Sequence, residues 1–450
     1  MSQQFSDTVQ PIERQMGIEL YSTDISGFGG RTKTTPYDFI VEEITPEGTV
    51  LNVSDVEQRD QTATVAGARS RYVRFTAQKI GMTTVELASL IASHLGIPTY
   101  MVTYAGLKDK RAVTTQAMSV PSGNETGLLG FRSPRAILRD FAYARRPIQV
   151  GDLWGNHFRI TIRFSEPQPD EIARAATTVL ETPLLNYFGE QRFGVARPYT
   201  HLVGRALVRR DPEEAIRLLL TTCSEHEPPE LTEVRMKLAS NMVPTEYMLN
   251  VFTKGMWYER AVLKHLIRRT GDFRGAVKKI PPRVLTLFVH AYQSYLFNRL
   301  ISERARQGMS IVEPEPGDFL IRLDQTHSGR DSWSFVTERG QDQARELVVS
   351  GQCVLAAPVP GYSTKTPPSR QTEVLLRVLS KEDIGLTSFR NPSIRALDSP
   401  GGLHPVSMRA ICPSVSVEEC GLKLSFALRK GSYATVVLRE IMRNHPINRS

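Results

Sequence analysis

Phe158, Ile160, Ile162 and Phe164 alternate with Arg159, Thr161 and Arg163, and near the other end of the chain Leu422, Leu424, Phe426 and Leu428 alternate with Lys423, Ser425, Ala427 and Arg429. A period of two with one apolar face marks a half-buried strand. Neither segment can bury that face alone, so each needs sheet neighbours. Phe39-Ile40-Val41 gives a further strand signal on the N-terminal side, and the residues between the two alternating segments are helix-rich. Together these features predict an α+β domain whose first and last strands come from opposite ends of the chain, with an insertion between them.

The helices follow from period and punctuation. Thr83-x-x-Glu86 is a capping box, Val85, Leu87, Ala88, Ile91 and Leu95 follow at helical spacing, and Gly96 and Pro98 end the pattern. Asp170 to Leu180 reads as a helix, as does the segment opened by Asp211-Pro212-Glu213-Glu214, with proline at its first position. Pro282 to about Arg306 is the longest candidate. The N-terminal tail, Ser224 to Leu231 and Pro358 to Ser369 read as flexible pieces. Over 450 residues, 56 Lys+Arg face 47 Asp+Glu, and the net charge of +9 favours a polyanionic partner such as nucleic acid.

Most generic signatures fail. Cys223, Cys353, Cys412 and Cys420 form no Cys-x-x-Cys pair and have no companion histidine, which argues against a disulfide framework or a zinc knuckle and fits a reducing cytoplasm. The N-terminal residues lack a secretory pattern, and the uncharged run Leu347 to Thr364 is broken by Gly351, Pro358, Pro360 and Gly361, so no membrane span is expected. Gly27-Phe28-Gly29-Gly30-Arg31-Thr32 lacks the third glycine of a dinucleotide fingerprint, and no Gly-Lys-Ser/Thr occurs, so no nucleotide cofactor is indicated. His226-Glu227-Pro228-Pro229-Glu230 lacks the second histidine of a zinc helix, and no metal is expected.

One segment stands apart. Tyr104-Ala105-Gly106-Leu107-Lys108-Asp109-Lys110-Arg111 sets a single carboxylate among three cations. Such a setting keeps an aspartate ionised and attracts a phosphate backbone; a solvated turn is the plainer alternative. Gly155-Asn156-His157-Phe158 opens the first alternating strand with an amide and an aromatic, suited to a base edge and a base face, although Phe158 also reads as the strand's first core residue. Arg132, Arg135, Arg139, Phe141, Tyr143, Arg145 and Arg146 interleave basic and aromatic side chains, either as a nucleic-acid surface or as a plain basic strand edge.

Tyr104 to Gln116 resembles the signature of the TruD-type tRNA pseudouridine synthases. Further blocks agree in order: Lys33-Thr34-Thr35-Pro36-Tyr37-Asp38-Phe39, Gly155-Asn156-His157-Phe158, Asn186-Tyr187-Phe188-Gly189-Glu190-Gln191-Arg192-Phe193-Gly194, Gln293-Ser294-Tyr295-Leu296-Phe297-Asn298 and Gly431-Ser432-Tyr433-Ala434-Thr435. The N-terminal stretch through Gly17-Ile18-Glu19-Leu20 is more similar to archaeal members. The resemblance implies cofactor-free isomerisation of uridine to pseudouridine in tRNA, at position 13, in the cytoplasm. It implies a mixed-sheet catalytic domain (1–194 and 412–450) interrupted by a helix-rich α/β insertion (195–411). Asp109 would be the nucleophile, with Lys33 orienting it. Asn156, Phe158 and Tyr433 would hold the base, Phe158 by stacking. Lys108, Lys110, Arg111, Arg145, Arg146, Gln191 and Arg192 would contact RNA. Tyr37 and Tyr433 depart from residues common in the family; neither touches the nucleophile. The rival readings are a non-catalytic RNA binder, a different RNA-modifying enzyme and a hydrolase using Asp109.

Overall fold

The computed structural model describes residues 4–54, 64–165, 170–323, 333–419 and 421–449; Cys420 lies outside them. Its strands are β1 (Phe39–Ile44), β2 (Tyr72–Ile80), β3 (Thr103–Tyr104), β4 (Val113–Pro121), β5 (Ala136–Ala144), β6 (Gly155–Arg163), β7 (Leu184–Leu185), β8 (Phe319–Arg322), β9 (Trp333–Phe335), β10 (Cys353–Val359), β11 (Gly402–Pro405), β12 (Ser407–Met408), β13 (Ile411–Glu418) and β14 (Gly421–Arg429). The main sheet runs β13-β14-β6-β1-β4-β2-β5, with β3 also on β4. β1 and β4 pair in parallel while their other neighbours pair antiparallel, so the sheet is mixed. The two alternating segments at opposite ends of the chain pair directly, with Leu424 opposite Ile160 and Phe426 opposite Phe158. β13 begins at Ile411, the last residue of the expected insertion.

Register places two hydrophobic cores on one face of this sheet. Phe39 and Val41 of β1 share that face with Phe158, Ile160, Leu424 and Phe426, and helices Asp170–Glu181 and Ala434–Met442 cover them. Val73, Phe75 and Ala77 of β2 share it with Met118 and Val120, covered by helix Thr84–Leu95. That helix has the expected capping box and stops at Gly96, whose φ of 66° suits glycine. Between the two covered halves the same face is polar: Glu43, Lys79, Thr114 and Gln116 are all fully or nearly fully buried. Helix Thr84–Leu95 reaches this seam only at its first residue, where Thr84 Oγ1 donates to Gln116 at 2.9 Å. The chain from Ala105 to Arg111 crosses it instead.

Between β6 and β13 the chain is mostly helical. Helix Pro282–Arg306 begins and ends where its period predicts. Helix Thr200–Val208 lies so close to it that a Cβ on Gly204 would stand 2.0 Å from the Phe288 carbonyl oxygen, which only glycine permits. A smaller sheet, β11-β10-β8-β9, packs beside the long helix. The uncharged run is helix end and β10. Ser224 to Leu231 is tied down: Ser224 Oγ donates to the Ala196 carbonyl, Glu227 accepts from Arg235 at 3.0 Å, and Pro229 opens a helix. Among the described residues no helix is long and apolar enough to cross a membrane.

Candidate active site

The seam and its crossing loop hold each other. Gln116 Nε2 donates to the Gly106 carbonyl at 3.2 Å, and the Lys108 N–H donates to Thr84 Oγ1 at 2.9 Å. Lys79 Nζ donates to the Asp109 carbonyl at 2.6 Å and to the Met82 carbonyl at 2.7 Å. Lys79 has no solvent exposure, and burial pushes its ammonium down to about 8 against the opposing pull of Asp109. The loop is therefore anchored through its backbone, which leaves the Asp109 side chain free for other work.

Asp109 Oδ1 receives Lys33 Nζ at 2.8 Å; the lysine is 7% exposed and the carboxylate 30%. Burial alone would raise the Asp109 pKa. The Lys33 charge and hydrogen bond, with the Gln191 side chain and Lys79, outweigh burial and hold the carboxyl below the ordinary aspartate value. Lys33 takes a φ of 57°, a left-handed conformation that costs a residue with a side chain about 1 kcal/mol. Its neighbours impose it: the Thr32 N–H donates to the Arg449 carbonyl at 2.9 Å, and Arg111 Nη2 donates to the Lys33 carbonyl at 3.2 Å. Lys33 Nζ also lies 4.1 Å from the centre of the Phe39 ring. A small cavity opens beside it, lined by Lys33, Phe39, Gln191, Val195 and Thr435 among others.

The structure brings Asp109, Lys33, Arg111 and Gln191 together, and redistributes the rest. Lys108 is not a surface cation: it is 8% exposed, and its Nζ meets Glu43 Oε2 and Asn156 Oδ1, each at 2.7 Å. It fixes Asn156 on the sheet face instead of meeting RNA. Phe158 is 6% exposed, stacked on Phe426 at 5.6 Å and edge-on to Phe39 at 6.3 Å, so in this state it offers a base little free ring face. Tyr433 stands just before helix Ala434–Met442, 6.3 Å from the Phe188 ring. Arg192 lies over Phe188 at 5.6 Å, and exposed Lys110 pairs with Glu86 at 3.3 Å.

Arg145 and Arg146 follow the far end of β5. Ala144 is opposite Tyr72 while Ala136 is opposite Lys79, so they stand roughly 25 Å along the strand from the Lys79 end. The interleaved basic and aromatic residues there are an edge strand in profile: Phe141 is buried, Tyr143 packs against the same core, and the arginines face outward.

Sequence reasoning passed over Lys79 and Glu43, whose only signal is a charged residue at a core-facing strand position. It also passed over a buried ion cluster behind the site. Glu13 Oε1 accepts from Arg439 at 3.0 Å and Arg449 at 2.8 Å, and Arg449 also reaches Glu190 at 2.7 Å. The partners lie at opposite ends of the chain, and no local pattern joins them. The same Arg449 carbonyl holds Thr32, and Glu190 precedes Gln191, so this cluster supports both neighbours of Asp109.

Known proteins resemble this chain along nearly its whole length. The family model of tRNA pseudouridine synthase D (TruD) matches residues 15–441. A protein of Methanosarcina barkeri named probable tRNA pseudouridine synthase D is 32% identical, over 98% of this chain and 100% of its own. A relative of the same name from Halobacterium salinarum is 34% identical over 97% and 98%. The crystal structure of a TruD-type protein from Methanosarcina mazei superposes with a TM-score of 0.79 at 30% identity, covering 98% of this chain and 100% of that one. On the strength of fold, motif order and full-length similarity, this chain belongs to the tRNA pseudouridine synthase D family.

Proposed function

We propose that this protein isomerises uridine to pseudouridine in tRNA, at position 13, with Asp109 as the acting carboxylate. The observation that carries the reading is an ionised, part-exposed Asp109 whose paired cation, Lys33, is buried and held in a strained backbone conformation. A charge kept available at such cost is placed for chemistry.

Isomerisation breaks the C1′–N1 bond and forms C1′–C5. The uracil gains a proton at N1 and loses the one at C5, so electrons and atoms balance without redox or group transfer, and the chemistry requires no cofactor. The base must leave its stack and stay caged while it turns. Asp109 acts at the sugar or the base, by attack or by assisting elimination, and Lys33 keeps it charged and oriented. Asn156, held by Lys108, presents its amide to the polar edge of the uracil. Phe158 serves as an apolar floor and Tyr433 as a wall. Arg111, Gln191 and Arg192 meet the flanking backbone. We further assign residues 1–194 and 412–450 to the catalytic domain and 195–411 to an insertion that forms the opposing wall of an RNA cleft. The reaction would take place in the cytoplasm, a setting that suits the free thiols Cys223, Cys353 and Cys412.

The test is tritium release from tRNA labelled at uridine C5, without added cofactor. The unmodified chain releases tritium and Asp109→Asn does not, at nearly equal tRNA affinity. Loss of affinity to the same extent as turnover would remove Asp109 from its role, and no release from any tRNA by a chain that binds tightly would favour an RNA binder.

A further inference from the structure

The surroundings of Asp109 do not hold the densest positive charge in the chain. From Lys264 to Arg283 there are seven Lys+Arg and a single acid, Asp272. This segment forms one wall of a groove of about 330 Å³, with Arg274 and Lys278 on helix Phe273–Val277 and its cap, Arg210 after helix Thr200–Val208, and the loop 391–397 opposite. Leu207, Val277 and Leu397 line it with nearly buried apolar surface.

Arg210, Arg274 and Lys278 are exposed, and the nearby acids are already engaged. Asp272 pairs with His265 at 2.9 Å and caps the Gly275 N–H at 2.9 Å. Asp211, the one acid in the groove lining, turns its carboxylate to the Glu214 N–H at 2.9 Å and leaves three cations against one carboxylate. Arg210 donates to the Arg390 carbonyl at 3.4 Å and takes a left-handed φ of 62°. Arg274 and Lys278 are four residues apart, so two like charges share one side of a short helix, an unfavourable arrangement without an anion. The loop is preformed: Asn391 Oδ1 accepts from the Ser393 and Ile394 N–H groups, each at 3.0 Å, and Thr286 of the long helix donates to the Ala396 carbonyl at 2.8 Å.

The long helix carries further basic side chains. Arg192, next to Gln191, is close enough to His290 to add to the effect of burial in holding its imidazole below the ordinary value. His290 and Arg283 are seven residues apart on the long helix, hence on one face, and each keeps part of its surface open to solvent.

We propose that this groove binds an RNA phosphodiester and gives tRNA a second contact outside the Asp109 pocket. The inference rests on the proposed tRNA reading for its ligand and on the groove's excess of positive charge for its place. Guanidinium and ammonium groups around a preformed groove match a phosphate, and its size admits one nucleotide backbone unit.

The test measures binding of a full-length tRNA transcript, across a salt series, by the unmodified chain and by the triple variant Arg210→Gln, Arg274→Gln, Lys278→Gln. Affinity is expected to fall roughly tenfold or more, and the slope of log K against log salt to shrink by about 2, as for lost phosphate contacts. A short hairpin carrying the target uridine but unable to span both places is expected to bind both proteins equally. Lys423→Gln with Arg174→Gln and Arg345→Gln, on β14, helix Asp170–Glu181 and helix Gln341–Val349, removes the same three charges elsewhere and controls for lost net charge. Unchanged tRNA affinity and slope in the triple variant overturn the proposal, as does an equal loss in the control. Failure of the unmodified chain to release tritium would count against the catalytic reading alone, so the two failures are separable.

Discussion

Two clusters of paired charge in this molecule use the same chemistry for opposite ends. Glu13, Glu190, Arg439 and Arg449 are each at most 5% exposed, and they answer one another. Asp109 and Lys33 form an equally short pair, yet the carboxylate keeps 30% of its surface. The first cluster ties the N-terminal segment, the loop before Gln191 and the C-terminal helix together, and its carboxylates are taken up by its own arginines. The second is left incomplete on one side. The difference between a structural and a reactive carboxylate here lies in closure, and the closed cluster supplies the rigidity that lets the open one stay open.

Breaking the closed cluster should have the largest effect on stability. Arg439→Met leaves Glu13 and Glu440 buried without their main cation, and is expected to cost about 3–5 kcal/mol. Calorimetry checks it; a loss below about 1 kcal/mol would mean the cluster is not what joins the chain ends. Burial pushes Glu13 up, but Arg439 and Arg449 outweigh it and leave its pKa lowered. Its stabilisation is thus complete above the unfolded carboxylate value of 4.5 and disappears as pH falls through its lower folded value.

The open cluster should answer in rate, with little change in melting. Lys33→Met removes one preorganised cation from the reacting group, and turnover is expected to drop roughly 100-fold. A melting temperature that falls as far as that of Arg439→Met would erase the distinction between the clusters.

Lys79 stands between the two cases, being buried like the first cluster and attached to Asp109 like the second. Its charge is lost as pH rises through about 8, so turnover should decline above that pH, and Lys79→Gln should run about tenfold slower without that limb. The sign of the stability effect is opposite. Between about 8 and the ordinary lysine value of 10.5 the unfolded chain binds more protons, so this group makes the fold more stable as pH rises. Turnover and thermal melts measured across that range separate the two effects; a parallel decline in both would rule out Lys79 as the source.

The legible parts of the chain were those where one face is apolar and the other wet. β6, β14 and the helix Thr84–Leu95 meet that condition, whereas the long helix is buried on most sides from Ala291 to Ile301 and shows in the sequence through its length and opening proline. β4 does not: Thr114, Thr115 and Gln116 are all buried, because one face carries the seam and the other is covered as well. Alternation therefore says nothing about the strand under the active site. Asp109 was visible through its cationic neighbours, yet the same rule misplaced Lys108, since sequence shows which charges are adjacent and not which way each points. Glu43, sixty-five residues away, turns Lys108 inward.

Phe158 gives the smallest and most discriminating contrast. As a core residue between Phe39 and Phe426 it should tolerate Phe158→Leu with a loss of about 1 kcal/mol in stability and tRNA affinity changed less than twofold. As a true stacking face it would contribute about 1–3 kcal/mol to base binding, and the same substitution would weaken a uridine-containing single strand about fivefold or more while leaving the melt almost unmoved. Measuring both quantities on one variant decides whether the ring belongs to the floor of the pocket or whether binding draws it out of the core. The second outcome would extend the lesson of the two clusters, because a residue closed in the free protein would then open only when the base arrives.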